Sequence, residues 1–335
     1  MPRAEHPLVF DCSGVGAGGI TRVLTELARH WPVSEHLQVV AAPADWTVPD
    51  DARTEVAVVS RQVASRSRTI AAAAAGLRRV TGRVLSLSPS LAVAGARVPV
   101  ATLVHDLAFR LWPRDLSTAQ LQYRRLSYAT ALRRSSRLLC VSERTRHDLS
   151  GMYGRHGDRA GVWYPGCDLA EPGRRPDGLD GDYLVVAGHA AHKGVELALE
   201  AMHRLPHHRL AVLTGGSGIR WPGGPDARVV FLDRLTEAEY AATLAGAAAF
   251  LMPSHFEGYG LPAVEALRLG TPTVISPDPA LHEATGGAAV RMTSWTSSAL
   301  VAAVEQISRE NPAVAKPAGR SWREAAEDLA GRLAG

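Results

Sequence analysis

An α/β chain of two domains, each built around a parallel sheet, is what the sequence predicts. Three observations carry this. Short apolar, β-branched runs alternate with segments of helical period. The alternation breaks once, in a stretch of Pro, Gly and charge, and then restarts. The 335 residues are also long for a single core.

The first run, LVFDCS, passes through glycines into ITRVLTELARHW, whose apolar residues recur at helical spacing. LQVVAAPA, TEVAVV, VPVATLVHDL and SRLLCVS follow as strands, with helical stretches between most of them; the alanine run Ala71 to Ala75 suits a helix interior. At YPGCDLAEPGRRPDGLDGD the pattern dissolves, which marks the linker and places a first domain at 1–170. In the second domain, 171–319, YLVVAG precedes the helix GVELALEAMHRL, and HRLAVLTGG, ARVVFLDRL, AAFLMPS and TPTVISP read as strands. NPAVAKPAG interrupts before a last helix, SWREAAEDLAGRLAG.

The bulk properties exclude several classes. Apolar and charged contents are those of a soluble globular protein, and no apolar run is long enough to span a membrane. The start, MPRAEHPLVF, lacks a signal-peptide pattern, so the reading is cytoplasmic. Cys12, Cys140 and Cys167 have no metal-like spacing and read as buried free thiols. His189 with His192, and His207 with His208, come without partner cysteines or an H-E-x-x-H pattern, so no metal site is expected. The net charge of +4 is unevenly spread: Arg110 to Arg159 holds eleven Arg against four acids, and Arg61 to Arg83 six Arg and no acid. A solvated basic face, an anionic ligand, and peripheral contact with an anionic inner-membrane surface all fit. Nucleic acid does not, because no aromatic interleaving or reading motif accompanies the arginines. Only Lys193 and Lys316 are lysines, against thirty-five arginines, so a lysine inside a motif stands out.

Gly14, Gly16 and Gly19 satisfy G-x-G-x-x-G between the first strand and helix. A dinucleotide site would want a carboxylate at the end of the second strand, but Glu35 comes before that strand and Asp45 too far after it. A tight strand-to-helix turn, or backbone N–H groups approaching an anion or polyol, remain as readings.

The second half holds FLMPSHFEGYGLPAVEALRLGTPTVISP. A strand ends at PS, a loop HFEGYG follows, and a helix begins near Pro262 and stops at Gly270. The backbone N–H groups of Gly258, Tyr259, Gly260 and Leu261 then lie at a helix N-terminus, which suits a diphosphate. Glu257 precedes that site and Glu265 follows eight residues later. Carboxylates only accept hydrogen bonds and can take two hydroxyls each, so one can hold sugar hydroxyls and the other ribose hydroxyls.

This stretch resembles the E-x7-E motif of retaining nucleotide-sugar glycosyltransferases of family GT4. GAGGITRVLTELARHW, VATLVHDLAF, RRSSRLLCVSERTRHDL and YLVVAGHAAHKGVELALEAM resemble further segments of that family, and SWREAAEDL resembles the C-terminal helix, here 320–335, that returns to the first domain. The resemblance implies a GT-B fold of two Rossmann-like domains facing across a cleft, with the acceptor side on the first and the nucleotide sugar on the second. It implies metal-independent transfer, with retention, from a UDP-, GDP- or dTDP-sugar to an unidentified acceptor, and no cofactor. His105 matches a histidine near the donor sugar, Lys193 the lysine that neutralises the diphosphate, and Glu257 and Glu265 the sugar and ribose carboxylates. Gly18, Gly19 and Asp106 fall on the acceptor and sugar side; Ser142 matches a serine whose role stays open. His189 stands where the family usually has a phosphate-binding arginine, and a neutral imidazole lacks that fixed charge. A nucleotide-sugar 2-epimerase of the same architecture and a non-catalytic nucleotide-sugar binder are the rival readings.

Overall fold

The computed structural model describes residues 7–16, 18–33, 35–179, 181–188, 190–215, 226–310 and 319–334. It divides into two compact units, Met1–Gly166 with Arg320–Gly335, and Cys167–Gly319. Each is built on one parallel sheet. Among the described residues no helix is long and apolar enough to cross a membrane.

The first unit carries β1 (Leu8–Asp11), β2 (Leu37–Val40), β3 (Val56–Val58), β4 (Arg83–Ser86), β5 (Val100–Val104), β6 (Arg137–Cys140) and β7 (Gly161–Val162), in the order β3-β2-β1-β4-β5-β6-β7. From β1 the chain builds outward to β3, then returns to the other side of β1 at β4. That reversal is a topological switch point, and the carboxyl ends of its two strands, Asp11 and Ser86, lie side by side. β4 and β7 are not evident in the sequence. β4 hides because RVLS is short and is followed, one leucine later, by SPS, whose serines and proline read as a turn.

Every residue of β1 is buried, as a central parallel strand requires. Phe10 meets the Trp31 ring edge-on at 5.2 Å. The C-terminal helix Trp322–Ala334 packs against the helix Gly19–His30. Trp163 donates its indole N–H to the Ala325 carbonyl at 2.9 Å, and Trp163 and Trp322 are fully buried. A Cβ at Gly166 would sit 2.4 Å from the Trp322 Cα, so only glycine lets the chain pass there.

The second unit carries β8 (Tyr183–Ala187), β9 (Arg209–Leu213), β10 (Val229–Leu232), β11 (Ala249–Met252), β12 (Thr273–Ile275) and β13 (Val290–Arg291), ordered β10-β9-β8-β11-β12-β13. Its switch point lies between β8 and β11. Strand alternation sorts the side chains onto two faces. Leu184, Val186, Val212 and Leu251 pack with Val195, Leu199 and Leu300, while Tyr183, Val185, Ala211 and Phe250 pack with Leu244, Ala263 and Ala266. The two-residue β13 is too short to register as a run in the sequence.

The three cysteines are free and buried. Burial pushes the Cys140 thiol up to about 12 and the Cys167 thiol up to about 11, so neither is a thiolate at neutral pH.

Candidate functional site

In the second unit, the loops after β8 and β11 emerge on either side of the switch point, where ligands of parallel sheets sit. After β8 the chain turns at Gly188 and makes a short turn, Ala191–Lys193. It passes Gly194 in left-handed geometry and enters the helix Val195–Ala201. A Cβ at Gly194 would lie 2.5 Å from the Pro253 carbonyl oxygen, so the two loops touch through a glycine. They are also tied where His255 N–H donates to the His192 carbonyl at 2.7 Å.

This contact aims Lys193 at Glu257. Its Nζ lies 2.8 Å from Oε1 and 2.9 Å from Oε2. The sequence suggests separate partners, phosphate for the lysine and sugar for the carboxylate; the structure couples the two directly. Behind Glu257, Gly258 and Tyr259 lead to Gly260, which caps the helix Leu261–Arg268 in left-handed geometry with φ +99°. A Cβ there would lie 2.3 Å from Leu281 Cδ2. Among the described residues no side chain caps this helix. Its positive end is therefore open to an anion at Gly260 and Leu261, while Pro262 contributes no N–H. Glu265 lies on the same helix, 1% exposed, and its Oε2 accepts the Tyr240 hydroxyl at 2.9 Å. Tyr240 was not singled out in the sequence, because it lies on a separate helix, Glu237–Ala245.

His189 lies outside the described residues. Among the described residues, no three His, Cys, Asp or Glu side chains group closely enough to hold a metal ion.

In the first unit, His105 follows β5 and its Nε2 lies 2.8 Å from the Leu87 carbonyl. A carbonyl only accepts, so Nε2 carries the proton and Nδ1 presents a lone pair. Burial pushes the imidazole below its ordinary pKa, against the Leu87 bond and the Asp106 charge. The ring is neutral at pH 7. Asp106 is half-buried; its Oδ1 accepts from Ala108 N–H at 2.9 Å, and its carbonyl accepts the Tyr128 hydroxyl at 2.6 Å. Gly18 caps the helix Gly19–His30 with φ +106°. Of the fingerprint glycines, Gly14 packs tightly, since a Cβ would lie 3.1 Å from the Ser88 carbonyl oxygen, whereas Gly16 and Gly19 face open space.

A residue the sequence did not single out lies beneath this loop. Asp11 is fully buried and accepts from Ser13 N–H at 3.0 Å, Ser13 Oγ at 2.6 Å and Ser86 Oγ at 2.8 Å. Burial raises its pKa, and these bonds hold it back. Asp11 thus ties the glycine loop to β4 across the switch point.

Ser142 is a helix cap. Its Oγ accepts from Thr145 N–H at 3.0 Å at the start of the helix Glu143–Tyr153. Ser142→Ala is expected to cost about 1 kcal/mol of stability, read by denaturant unfolding. Nucleotide affinity is expected to stay unchanged, because the Ser142 hydroxyl is spent on the cap. A loss of nucleotide binding would show that Ser142 does more than cap.

Two family models match this chain. Glycosyltransferase Family 4 matches residues 17–171 and Glycosyl transferases group 1 matches residues 181–310. Among curated proteins, the D-inositol 3-phosphate glycosyltransferases of Mycobacterium bovis and Mycobacterium tuberculosis are 31% identical over 192 residues, covering 51% of this chain. The chain spans 38% of their length. Among solved structures, Anabaena Alr3699/HepE in complex with UDP-glucose has a TM-score of 0.73 at 17% identity, covering 98% of this chain and 95% of that one. WaaG, a glycosyltransferase involved in lipopolysaccharide biosynthesis, has a TM-score of 0.66 at 14% identity, covering 97% and 95%. At such identities these two likenesses are of fold, and the fold they share is GT-B.

Proposed function

The chain belongs to the glycosyltransferases of family 4, and from that premise we propose that it moves a sugar from a nucleoside diphosphate to an acceptor hydroxyl, with retention and without a metal. The observation that carries this reading is the Lys193–Glu257 pair beside the open N-terminus of the helix Leu261–Arg268. A diphosphate on that N-terminus gains backbone donors, the helix dipole and the Lys193 ammonium together. Its arrival draws Lys193 toward phosphate and releases Glu257 oxygens to accept sugar hydroxyls. Glu265, braced by Tyr240, accepts the ribose hydroxyls.

In the reaction the bond from the anomeric carbon to the β-phosphate oxygen breaks, and a bond from that carbon to the acceptor oxygen forms. The acceptor proton passes to the leaving phosphate. Charge grows on the leaving oxygen as the sugar becomes oxocarbenium-like, and donors already aimed there stabilise the transition state more than the ground state. The Anabaena relative's complex with UDP-glucose makes that sugar the first donor to try.

The test is incubation with UDP-, GDP- and dTDP-sugars, followed by NMR. Slow release of nucleoside diphosphate, with the freed sugar first appearing in the donor's anomeric form, is the expected result. Release of a 2-epimer would favour the epimerase. Tight binding with no release under any acceptor mixture would favour the binder.

A further inference from the structure

We infer that Tyr240 is a positioning residue, which orients the Glu265 carboxylate for the 2′ and 3′ hydroxyls of ribose, and that the donor is in consequence a ribonucleotide sugar and not a 2′-deoxyribonucleotide sugar. The inference rests on the sugar-transfer reading, which puts the nucleoside of the donor beside Glu265.

The fold brings the two residues together from separate crossovers. The helix Glu237–Ala245 leads from β10 back to β11, and the helix Leu261–Arg268 leads from β11 to β12. Both lie on one face of the sheet, where Leu244 of the first shares a buried cluster with Ala263 and Ala266 of the second. Each helix starts after a parallel strand ends, so both N-terminal turns lie at the carboxyl edge of the sheet, the edge that takes ligands. Tyr240 closes the first turn of one helix, its N–H bonded to the Thr236 carbonyl at 2.9 Å. Glu265 follows the first turn of the other, its carbonyl accepting Leu269 N–H at 3.1 Å. The Tyr240 hydroxyl then reaches Glu265 Oε2 at 2.9 Å, across 25 residues of sequence.

The phenol is presented from a fixed base. A capping box locks the start of its helix: Thr236 N–H donates to Glu239 Oε2 at 2.9 Å, and Glu239 N–H donates to Thr236 Oγ1 at 3.2 Å. The half-buried Tyr240 ring packs against the same apolar cluster as the helix that carries Glu265. The carboxylate needs such a partner for two reasons. Burying it costs free energy unless donors satisfy it. The terminal torsion of a glutamate is also broad, so its backbone position alone does not set the plane of the carboxylate. A charge-assisted bond from the phenol to one oxygen does set it. Ribose presents two neighbouring O–H donors at a separation fixed by its ring, and a carboxylate accepts both only when its plane is turned to them. A 2′-deoxyribose brings one donor fewer to a buried acceptor that has already left water, and a loss of this kind weakens binding by about 10–100-fold.

The experiment is calorimetric titration of the full chain with UDP against dUDP and GDP against dGDP, which needs no acceptor. The ribonucleotide of the pair that binds should be about 10–100-fold the tighter. Tyr240→Phe keeps the ring and its packing and removes only the hydroxyl. It should weaken the ribonucleotide by about 10-fold and leave the deoxyribonucleotide nearly unchanged, bringing the two within about 3-fold of each other. A merely structural role would weaken both alike and preserve their ratio. Glu265→Gln should also shrink the ratio, and adding Tyr240→Phe to it should change little more, because the two residues act as one unit. With a nucleotide sugar and acceptor, Tyr240→Phe should raise KM and leave kcat in place, as loss of binding remote from the reacting carbon does. Equal affinity for ribo- and deoxyribonucleotide in the unaltered chain, an unchanged ratio in Tyr240→Phe, or additive effects in the double variant would each overturn the inference and leave the donor site standing. Binding of no nucleoside diphosphate at all would overturn it together with the sugar-transfer reading.

Discussion

Lys193→Ala is expected to lower sugar transfer by about 10²–10³-fold, the usual effect of removing one donor aimed at developing charge. It should weaken free nucleoside diphosphate as well. A unit charge about 4 Å from a phosphate, at an effective dielectric near 20, is worth on the order of 4 kcal/mol before desolvation is subtracted. The structure adds a consequence for stability. Glu257 is the more buried partner, its side chain 8% exposed against 24% for Lys193. Removing the lysine strands a nearly buried carboxylate, whereas Glu257→Ala leaves an ammonium that can swing to water. Lys193→Ala should therefore be the less stable of the two, by about 1–3 kcal/mol. Glu257→Ala should keep nucleoside diphosphate affinity and lose turnover through sugar positioning. Thermal unfolding with and without nucleotide, beside single-turnover rates, separates these effects. Near wild-type turnover and affinity in Lys193→Ala would remove the phosphate role.

The two-unit α/β architecture was legible because parallel strands buried on both faces must be written as apolar runs, and LVFD, YLVVA and AFLM are. Glu257, Gly260 and Glu265 could be singled out for another reason: one loop and the helix behind it carry them in a single stretch of sequence. What stayed hidden needed distant parts of the chain to meet. Asp11 looks like an ordinary polar residue ending a strand until Ser86, 75 residues on, pairs beside it. β4 was lost for the same reason, since its one serine, Ser86, is buried by neighbours in the sheet and not by any local pattern. The Lys193–Glu257 pair spans 64 residues and two loops, so each residue could be picked out by its motif but not their contact.

The contact between those two loops yields the second large effect. Gly194→Ala is expected to destabilise the second unit by about 2–5 kcal/mol and to abolish most transfer, although it removes no functional group. Two costs combine. At φ +66° an alanine pays roughly 1–2 kcal/mol for left-handed geometry. Its Cβ would also lie 2.5 Å from the Pro253 carbonyl oxygen, which is backbone and cannot swing aside. Relieving that contact must move either the turn that carries Lys193 or the strand end that leads to Glu257, and overpacking of this kind costs about 1–3 kcal/mol. For a domain of this size the sum corresponds to a fall in Tm of roughly 5–15 °C. A shift near 1 Å between groups that must act together can itself cost about 10²-fold in rate. Gly270→Ala is the control, because Gly270 has φ +85° and open space around its Cβ position. It should pay the backbone cost alone and keep its activity. If Gly194→Ala matched Gly270→Ala in both melting temperature and turnover, the close approach at Pro253 would not be what holds Lys193 and Glu257 in register.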